Sequence, residues 1–299
     1  MTARATPMWI AALVFLIPSL ILGGCAKGRS LDYAATDEET LFWKANYDFM
    51  RGEYEDARER LRLFVTQFPD SLLVPEARLG IARTYFEEKE YEQARVTYER
   101  FITLHPRNER TDEAMYFIGL SYYQQMEKVD RDQTPTQRAV VSFRRLIKEV
   151  PRTPYKEDAI AKIITCRRQL AEREISVGLF YLKRDKYKAA KGRFQRVLDY
   201  YDGIGYEPKA LYYLAEAYEG LEEKDKAQEA YRQLLERYPD SLWAAEAGDH
   251  LGIKVVVQPD KAREQSPEES SGGIWGFFEE SWDEIKSTFE HSLKTPATP

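Results

Sequence analysis

One short pattern recurs along this chain: a turn-forming residue is followed eight residues later by an alanine. It occurs five times, at Pro69 and Ala77, Pro106 and Ala114, Pro151 and Ala159, Asp202 and Ala210, and Pro239 and Ala247. A second alanine lies 12 residues before each turn residue, at Ala57, Ala94, Ala139, Ala190 and Ala227, so these alanines are 37, 45, 51 and 37 residues apart. Such a period is typical of solenoids built from stacked units.

Within each unit the pattern resembles the tetratricopeptide consensus, which is a pair of antiparallel helices. A small residue in the first helix lets the two helices approach closely, and proline ends the second helix because it lacks an amide N–H and clashes with the preceding turn. The small residues are Ala45, Ala82, Gly119, Gly178 and Ala215, and all but the first are followed three residues later by tyrosine. The sequence therefore predicts an all-α tetratricopeptide-repeat solenoid of about five helix pairs over residues 37–252.

Two of the repeats are longer than the others. The third gains eight residues between its alanines, and the added residues include turn formers between Asp130 and Pro135, which predicts a loop. The fourth gains 14 residues, which is close to four turns of helix at 3.6 residues each and therefore preserves the helical phase. We predict one long helix near residues 155–184, with Thr153 as its N-cap and Pro154 as its first residue.

The N-terminus has the layout of a secretion signal. Arg4 precedes an apolar run over residues 8–22, which is shorter than the roughly 20 residues that a membrane-spanning helix needs. The run ends in Leu22-Gly23-Gly24-Cys25, which resembles the bacterial lipobox. This predicts a lipoprotein signal peptide over residues 1–24 and a tether over residues 25–36. The alternatives are an ordinary signal peptide or an uncleaved anchor.

The lipobox resemblance implies that Cys25 is the first residue of the mature protein and carries N-acyl and S-diacylglycerol lipid. No other cofactor is expected. Alanine rather than aspartate follows at position 26, and by the sorting rule of such lipoproteins the resemblance implies transfer to the outer membrane.

The C-terminal part differs from the repeats. Residues 253–273 are rich in proline, serine, glycine and glutamate and predict a flexible linker. Residues 274–294 predict an amphipathic helix, because apolar residues recur at three- and four-residue steps opposite an acidic face. Two interpretations remain open: the helix caps the solenoid, or it docks into a partner's groove.

Composition excludes several classes of protein. The net charge of −6 argues against nucleic-acid binding, which needs a basic surface. The two cysteines and three histidines have no metal-ligand spacing, and no phosphate loop or nucleophile elbow is present. We therefore expect a scaffold and not an enzyme. Cys166 lies in an apolar helical pattern and is expected to be a buried, inert thiol.

With these features together the chain resembles the BamD family of outer-membrane β-barrel assembly lipoproteins. The resemblance is carried by the lipobox, by EQARVTYERFITLHP ending at Pro106, by DEAMYFIGLSYY over 112–123, and by RQLAEREISVGLFYLKRDKY over 168–187. It covers roughly residues 25–250. It implies a lipid-anchored periplasmic scaffold that binds BamA, the other lipoproteins of the BAM complex and unfolded outer-membrane proteins.

Candidate binding residues follow from the repeat geometry and the resemblance. The first helices of tetratricopeptide repeats line a concave surface, and in repeats one to three its predicted residues are Phe42, Asn46, Phe49, Leu79, Arg83, Phe86, Tyr116, Leu120 and Tyr123. These rings, with Arg83 for an anion, would suit a barrel segment ending in an aromatic residue and a carboxylate. The alternative is that they pack against the next repeat or the N-terminal segment.

The resemblance places Arg193 and Arg196 in the region that the family uses to contact BamA. The alternative role for both is solvated surface charge. A different envelope repeat lipoprotein, linked to Tol–Pal, to peptidoglycan or to a secretion system, is the other functional class that the repeats would fit.

Overall fold

The computed structural model describes residues 37–255, and this part of the chain is helical with no strand. The chain divides into two units, residues 1–37 and 38–299, and every helix described here belongs to the second. The helices are α1 (Glu38–Met50), α2 (Tyr54–Gln67), α3 (Val74–Glu87), α4 (Tyr91–Leu104), α5 (Thr111–Gln124), α6 (Thr134–Glu149), α7 (Lys156–Leu182), α8 (Tyr187–Tyr200), α9 (Glu207–Gly220), α10 (Lys224–Arg237) and α11 (Leu242–Leu251).

Each helix packs mainly against the helices before and after it, which is the arrangement of a solenoid. The ten helices α1–α10 form the five predicted pairs, so the predicted fold class is confirmed. Helix α11 follows the last Pro-Asp-Ser turn and adds half of a further pair. Ser241 caps α11, since its hydroxyl oxygen accepts a hydrogen bond from the amide of Ala244 at 3.2 Å. Among the described residues no helix has the length and hydropathy needed to cross a bilayer.

The predicted signal peptide, the tether, most of the predicted linker and the predicted C-terminal helix lie outside the described residues. Cys25 lies there too, so its lipidation stays a prediction.

The repeated alanines and rings form the core of the solenoid. All ten alanines of the two series are buried. Four residues after each alanine of the second series comes a buried large side chain, at Leu61, Tyr98, Phe143, Phe194 and Tyr231. An alanine methyl group leaves room for the neighbouring helix, and the large side chain fills the remaining space at close-packed density. The periodicity is therefore a direct record of the contacts between helices.

Helix α7 is the predicted long helix, with 27 residues from Lys156 to Leu182. The prediction of its first turn was wrong by two residues, because Tyr155 and not Thr153 precedes the helix. Thr153 is buried, and its hydroxyl donates to Asp112 at 2.8 Å. Its role is thus to tie the turn before α7 to the start of α5.

The two insertions contact each other. Gln169 in α7 donates to the carbonyl of Glu127 at 2.8 Å and to the side chain of Gln133 at 2.7 Å. Arg173, one helical turn later, donates to the carbonyl of Val129 at 2.9 Å. The loop added to the third repeat therefore supplies backbone acceptors for the helix added to the fourth. Since neither insertion has these partners without the other, the two form one structural feature.

In four of the five pairs, the turn between the two helices contains a residue with a left-handed backbone conformation. These residues are Gly52, Lys89, Asp185 and Glu222, with φ between 58° and 77°, and each lies five residues before an alanine of the second series. The third pair has the inserted loop instead. A left-handed backbone costs an L-residue about 1–2 kcal/mol, and glycine avoids this cost because it lacks a Cβ. Only the first repeat has glycine at this position.

We predict that glycine at the other turns stabilises the protein. Lys89→Gly and Glu222→Gly should each raise the free energy of unfolding by about 0.5–1 kcal/mol, because both side chains are exposed and only the left-handed strain is relieved. Gly52→Ala should lower it by about 1 kcal/mol. Urea titration of each variant gives the measurement. As a control, Arg232→Gly, at an exposed interior position of α10, should destabilise instead. No gain at either turn would contradict the strain argument.

Candidate partner-binding surfaces

Arg83, the predicted anion-binding cation, already has two carboxylate partners. Its Nε and Nη2 donate to Glu113 Oε1 at 2.8 and 2.5 Å, and its Nη1 donates to Glu76 Oε1 at 3.0 Å. Arg110 completes the cluster from the turn before α5, with contacts of 2.8 and 2.5 Å to Glu113 Oε2 and 3.2 Å to Glu76. We call these four residues the Arg83 cluster. It joins α3 to α5, the first helices of adjacent repeats.

The cluster is largely withdrawn from water. The side chain of Arg83 is 12% exposed and that of Glu113 is 6% exposed. Burial by itself lowers the pKa of Arg83, but the charges of Glu113 and Glu76 outweigh it and raise the pKa above its ordinary value. Two positive and two negative groups compensate one another. A carboxylate from a ligand would therefore have to displace a protein carboxylate to reach Arg83.

Two of the predicted groove rings are also buried in the solenoid. Phe86 meets the ring of Phe117 edge to face, with centroids 5.0 Å apart. Tyr116 stacks on Tyr155 at 4.5 Å, and its hydroxyl donates to Asp158 at 2.5 Å. Burial, followed by the charge of Asp158, raises the pKa of Tyr116 well above its ordinary value. Both rings therefore pack against the next repeat, which is the alternative described above.

The other predicted groove residues are buried or partly buried and have contacts within the chain. Phe42 packs on Phe64, with ring centroids 5.4 Å apart, and Phe49 on Tyr54 at the same distance. The amide of Asn46 donates to the carbonyl of Phe42 one turn earlier at 2.9 Å. Leu79 and Leu120 are buried core residues. Substrate binding by this set stays a prediction, since no ligand is present.

Tyr123 covers a buried cation. Lys162 Nζ lies 5.2 Å from the centroid of the Tyr123 ring and 3.0 Å from Asp158. Burial lowers the pKa of Lys162, and Asp158 opposes this effect. The ring and the carboxylate therefore together hold a lysine inside the solenoid.

An exposed apolar stripe on α1 was not predicted from the sequence. Trp43, Tyr47 and Met50 lie on one face of the helix, and their residues are 59%, 41% and 51% exposed. The rings of Trp43 and Tyr47 stack with centroids 5.3 Å apart. Their spacing of four and three residues could have revealed the stripe. The choice of Phe42, Asn46 and Phe49 as the open face instead selected residues that pack inward or locally.

Arg193 and Arg196 share one carboxylate. Arg193 Nη1 lies 3.1 Å from Glu174 Oε2, and Arg196 Nε lies 3.5 Å from Glu174 Oε1. Glu174 is buried on α7, whereas the arginine side chains on α8 are 37% and 55% exposed. Two cations against one acid leave a net positive surface where α7 and α8 meet. We call these three residues the α7–α8 cation surface.

Cys166 is buried at the middle of α7, as expected, with its sulfur 3.5 Å from that of Met126. Burial raises the pKa of its thiol to about 12. In the native protein at pH 8 we expect Cys166 to react with an aromatic disulfide reagent at least about a hundredfold more slowly than in 6 M guanidinium. Absorbance of the released thiolate measures this. Equal rates would show that the site is open to solvent.

Among residues 37–255 no group of acidic, cysteine or histidine side chains could hold a metal ion.

In sequence, this chain is similar to outer-membrane lipoproteins and assembly factors. A family model described as an outer membrane lipoprotein, YfiO, matches residues 34–234. A Rickettsia prowazekii protein named outer membrane protein assembly factor BamD is 33% identical over 228 residues, which are 76% of this chain and 91% of that one. A protein of the same name from Caulobacter vibrioides is 33% identical over 141 residues, and this match spans about half the length of either chain.

Solved structures with helical repeats also align. A tetratricopeptide-repeat protein from Thermus thermophilus aligns with 73% of this chain and all of its own, at 19% identity and a TM-score of 0.32. The TPR2AB domain of yeast Sti1 aligns with 81% of this chain and 96% of its own, at 15% identity and a TM-score of 0.39.

Proposed function

This chain belongs to the BamD family of outer-membrane protein assembly factors, and from that premise we propose that it is a lipid-anchored periplasmic scaffold of the β-barrel assembly complex. It binds BamA and the complex's other lipoproteins, and it receives unfolded outer-membrane proteins. The observation that carries the proposal is the family match, which starts in the predicted tether and covers the first four repeats and most of the fifth. The scaffold role requires binding surfaces and no catalytic group.

The α7–α8 cation surface supports the binding of BamA. An acidic side chain of the partner would meet Arg196, whose side chain is 55% exposed, without first displacing Glu174 from Arg193. Pairing of charges across an interface guides association and fixes the register of the partners. Because Glu174 holds both arginines in place, the surface is ordered before the partner arrives.

The exposed stripe on α1 supports the binding of unfolded outer-membrane proteins. The segments of such chains that form a barrel carry many aromatic and apolar side chains. Trp43 and Tyr47 offer stacked rings, and the guanidinium of Arg51 lies 5.6 Å from the centroid of the Tyr47 ring. Exposed aromatic and arginine side chains of this kind are common among residues that dominate binding energy. The stripe is thus a better candidate than the buried Arg83 cluster for first contact with substrate.

Co-purification with BamA tests the proposal. We expect Arg193→Glu with Arg196→Glu to weaken BamA binding by about tenfold or more, because two cations become anions beside Glu174. The matched control is Arg232→Glu with Arg237→Glu, which makes the same change of charge on exposed positions of α10. Loss of binding in both variants would point to net charge alone. Full binding by the first variant would remove the α7–α8 cation surface from the interface, and absence of BamA from the wild-type eluate would overturn the proposal itself.

The anchor is tested separately. Cys25→Ser should move the protein from the membrane pellet to the soluble periplasmic fraction, because lipidation requires the cysteine thiol. Retention of the variant in outer membranes that have been washed with high salt would contradict a covalent lipid anchor.

A further inference from the structure

Helices α4, α5 and α6 border a groove that none of the roles above uses. Its volume is about 480 Å³. We call it the α6 groove and define it by Met115, Ile118, Tyr122, Arg138, Val141 and Arg145. Met115 and Ile118 from α5 form an apolar floor, and Val141 from α6 is 67% exposed beside it. A valine so exposed next to buried apolar residues indicates a surface that can gain from being covered.

Cations border this apolar floor. Arg138 lies three residues before Val141 and Arg145 lies four residues after it, so all three share one face of α6. Within residues 37–255 Arg138 has no carboxylate at ion-pair distance, and its guanidinium instead lies 5.7 Å from the centroid of the Tyr122 ring. Arg145 pairs with Glu149 at 2.8 Å, but both side chains are about half exposed. Glu99 of α4 also lines the groove, but it pairs with Arg95 at 2.7 Å, so the groove can accept further negative charge.

Helices α6 and α8 are the most basic of the second helices of the repeats. Helix α6 has four cationic residues and one acidic residue, whereas α2 has three of each, α4 has two of each and α10 has four and three. Helix α8 is equally basic, and its arginines form the α7–α8 cation surface. The whole chain has a net charge of −6, but α6 is positive and has an apolar groove beside it. Such a surface is complementary to an acidic amphipathic helix.

Residues 274–294 of the same chain have this chemistry. Their sequence repeats apolar side chains at three- and four-residue steps, at Ile274, Trp275, Phe278, Trp282, Ile285 and Phe289. Five acidic residues stand between them, at Glu279, Glu280, Asp283, Glu284 and Glu290, against two lysines. A helix with this pattern would place aromatic rings on the apolar floor and carboxylates toward Arg138 and Arg145.

The connecting chain is long enough for this contact. Eighteen residues, 256–273, separate the described solenoid from this segment, and an extended chain of that length spans up to about 60 Å. Helix α6 comes five helices before α11, and adjacent helix axes are roughly 8–10 Å apart, so the axes of α6 and α11 are at most about 50 Å apart. A tethered segment also has an effective concentration on the order of millimolar, which favours the chain's own segment over a second copy.

We propose that residues 274–294 dock as an amphipathic helix in the α6 groove of the same chain. The proposal does not depend on the function proposed above.

Thiol labelling of a Val141→Cys variant tests it on the full-length, lipid-bearing protein in a mild non-ionic detergent. A maleimide reports whether position 141 is covered, and peptide mass mapping distinguishes this cysteine from Cys166. We expect labelling of V141C to be at least about tenfold slower than labelling of Glu229→Cys, an exposed position on α10. Adding Phe278→Asp and Trp282→Asp, which removes the apolar stripe, should abolish the protection.

Charge provides the second arm. Arg138→Glu with Arg145→Glu should also accelerate labelling of V141C by about tenfold, whereas Arg232→Glu with Arg237→Glu should leave it unchanged. Equal labelling of V141C and E229C, with no effect of the two aspartates, would overturn the proposal. Protection that grows with protein concentration would overturn it in favour of a second copy, and protection that appears only with membranes would overturn it in favour of a lipid surface.

Discussion

Gly178→Ala is expected to lower the free energy of unfolding by about 1–3 kcal/mol, although it adds a single methyl group. A Cβ at position 178 would lie 2.4 Å from the Phe194 ring, which is closer than real contacts allow. Phe194 cannot easily move away, because it is fully buried and stacks on Tyr213 at 5.6 Å. The added volume must therefore be accommodated by displacing α7 from α8. Chemical denaturation measures the effect.

The chain provides a matched control, a glycine on the exposed face of the partner helix. Gly192 lies in α8, and a Cβ added there meets nothing within 4 Å. Gly192→Ala should therefore stabilise the protein by about 0.5–1 kcal/mol, because alanine loses less backbone entropy than glycine in a helix. Replacing Phe194 with leucine in the Gly178→Ala background should recover part of the loss. A neutral Gly178→Ala would show that the helices are not in close contact at this position.

Glu113→Ala is expected to have the second large effect, a loss of about 3 kcal/mol or more of unfolding free energy. The carboxylate of Glu113 accepts from both Arg83 and Arg110. Without it, the buried guanidinium of Arg83 loses both hydrogen bonds to Glu113 and keeps its contact with Glu76. The cost comes mainly from leaving a charge buried with too few partners, and thermal or urea unfolding measures it.

A double substitution separates this cost from the value of the ion pair itself. Arg83→Met with Glu113→Leu removes both charges and leaves Arg110 paired with Glu76 at 3.2 Å, so the loss should be much smaller than that of Glu113→Ala. The surface control is Lys226→Ala, which breaks an exposed pair with Glu223 and should cost under about 1 kcal/mol. Additive losses in the double variant would contradict the argument.

These stability effects determine how substrate binding can be tested. Arg83→Glu would place a third acid beside Glu76 and Glu113, so reduced peptide affinity could result from partial unfolding. Trp43→Ala and Tyr47→Ala remove exposed rings and should leave the fold intact. A titration with a C-terminal barrel-strand peptide therefore gives a clearer answer with these two variants than with Arg83→Glu.

Much of the fold was predictable because solenoid contacts are local. Each repeat touches mainly its neighbours, so the small residues, the large residues four positions later and the turn residues recur with the period of the structure. The 14-residue extension was recognisable for a related reason, since an insertion of nearly whole turns keeps the apolar face of α7 in phase. The start of that helix was less predictable, because Thr153 lies in the turn before it, where its hydroxyl bonds both to Asp112 and to the amide of Tyr155.

The candidate site was less predictable than the fold. Helical spacing identifies aromatic and cationic residues on the first helices, but it does not specify which of them already have partners in the neighbouring repeat. Phe86 and Tyr116 pack inward, whereas Trp43 and Tyr47 on the first helix are exposed. The difference follows from which repeat packs against each helix face, which helical spacing alone does not specify.

The sequence by itself determined that the chain is a helical solenoid and where its repeats lie, because steric demands between adjacent helices recur in every unit. The family was indicated separately, by the resemblance of particular motifs. Only the tertiary structure decided which charges and rings are free to bind. The partners of Arg83 lie 7 and 30 residues away, and Gln169 bonds to a loop residue 42 positions earlier. A charge is neutralised by whatever lies within a few ångströms of it, and that distance depends on how successive repeats stack.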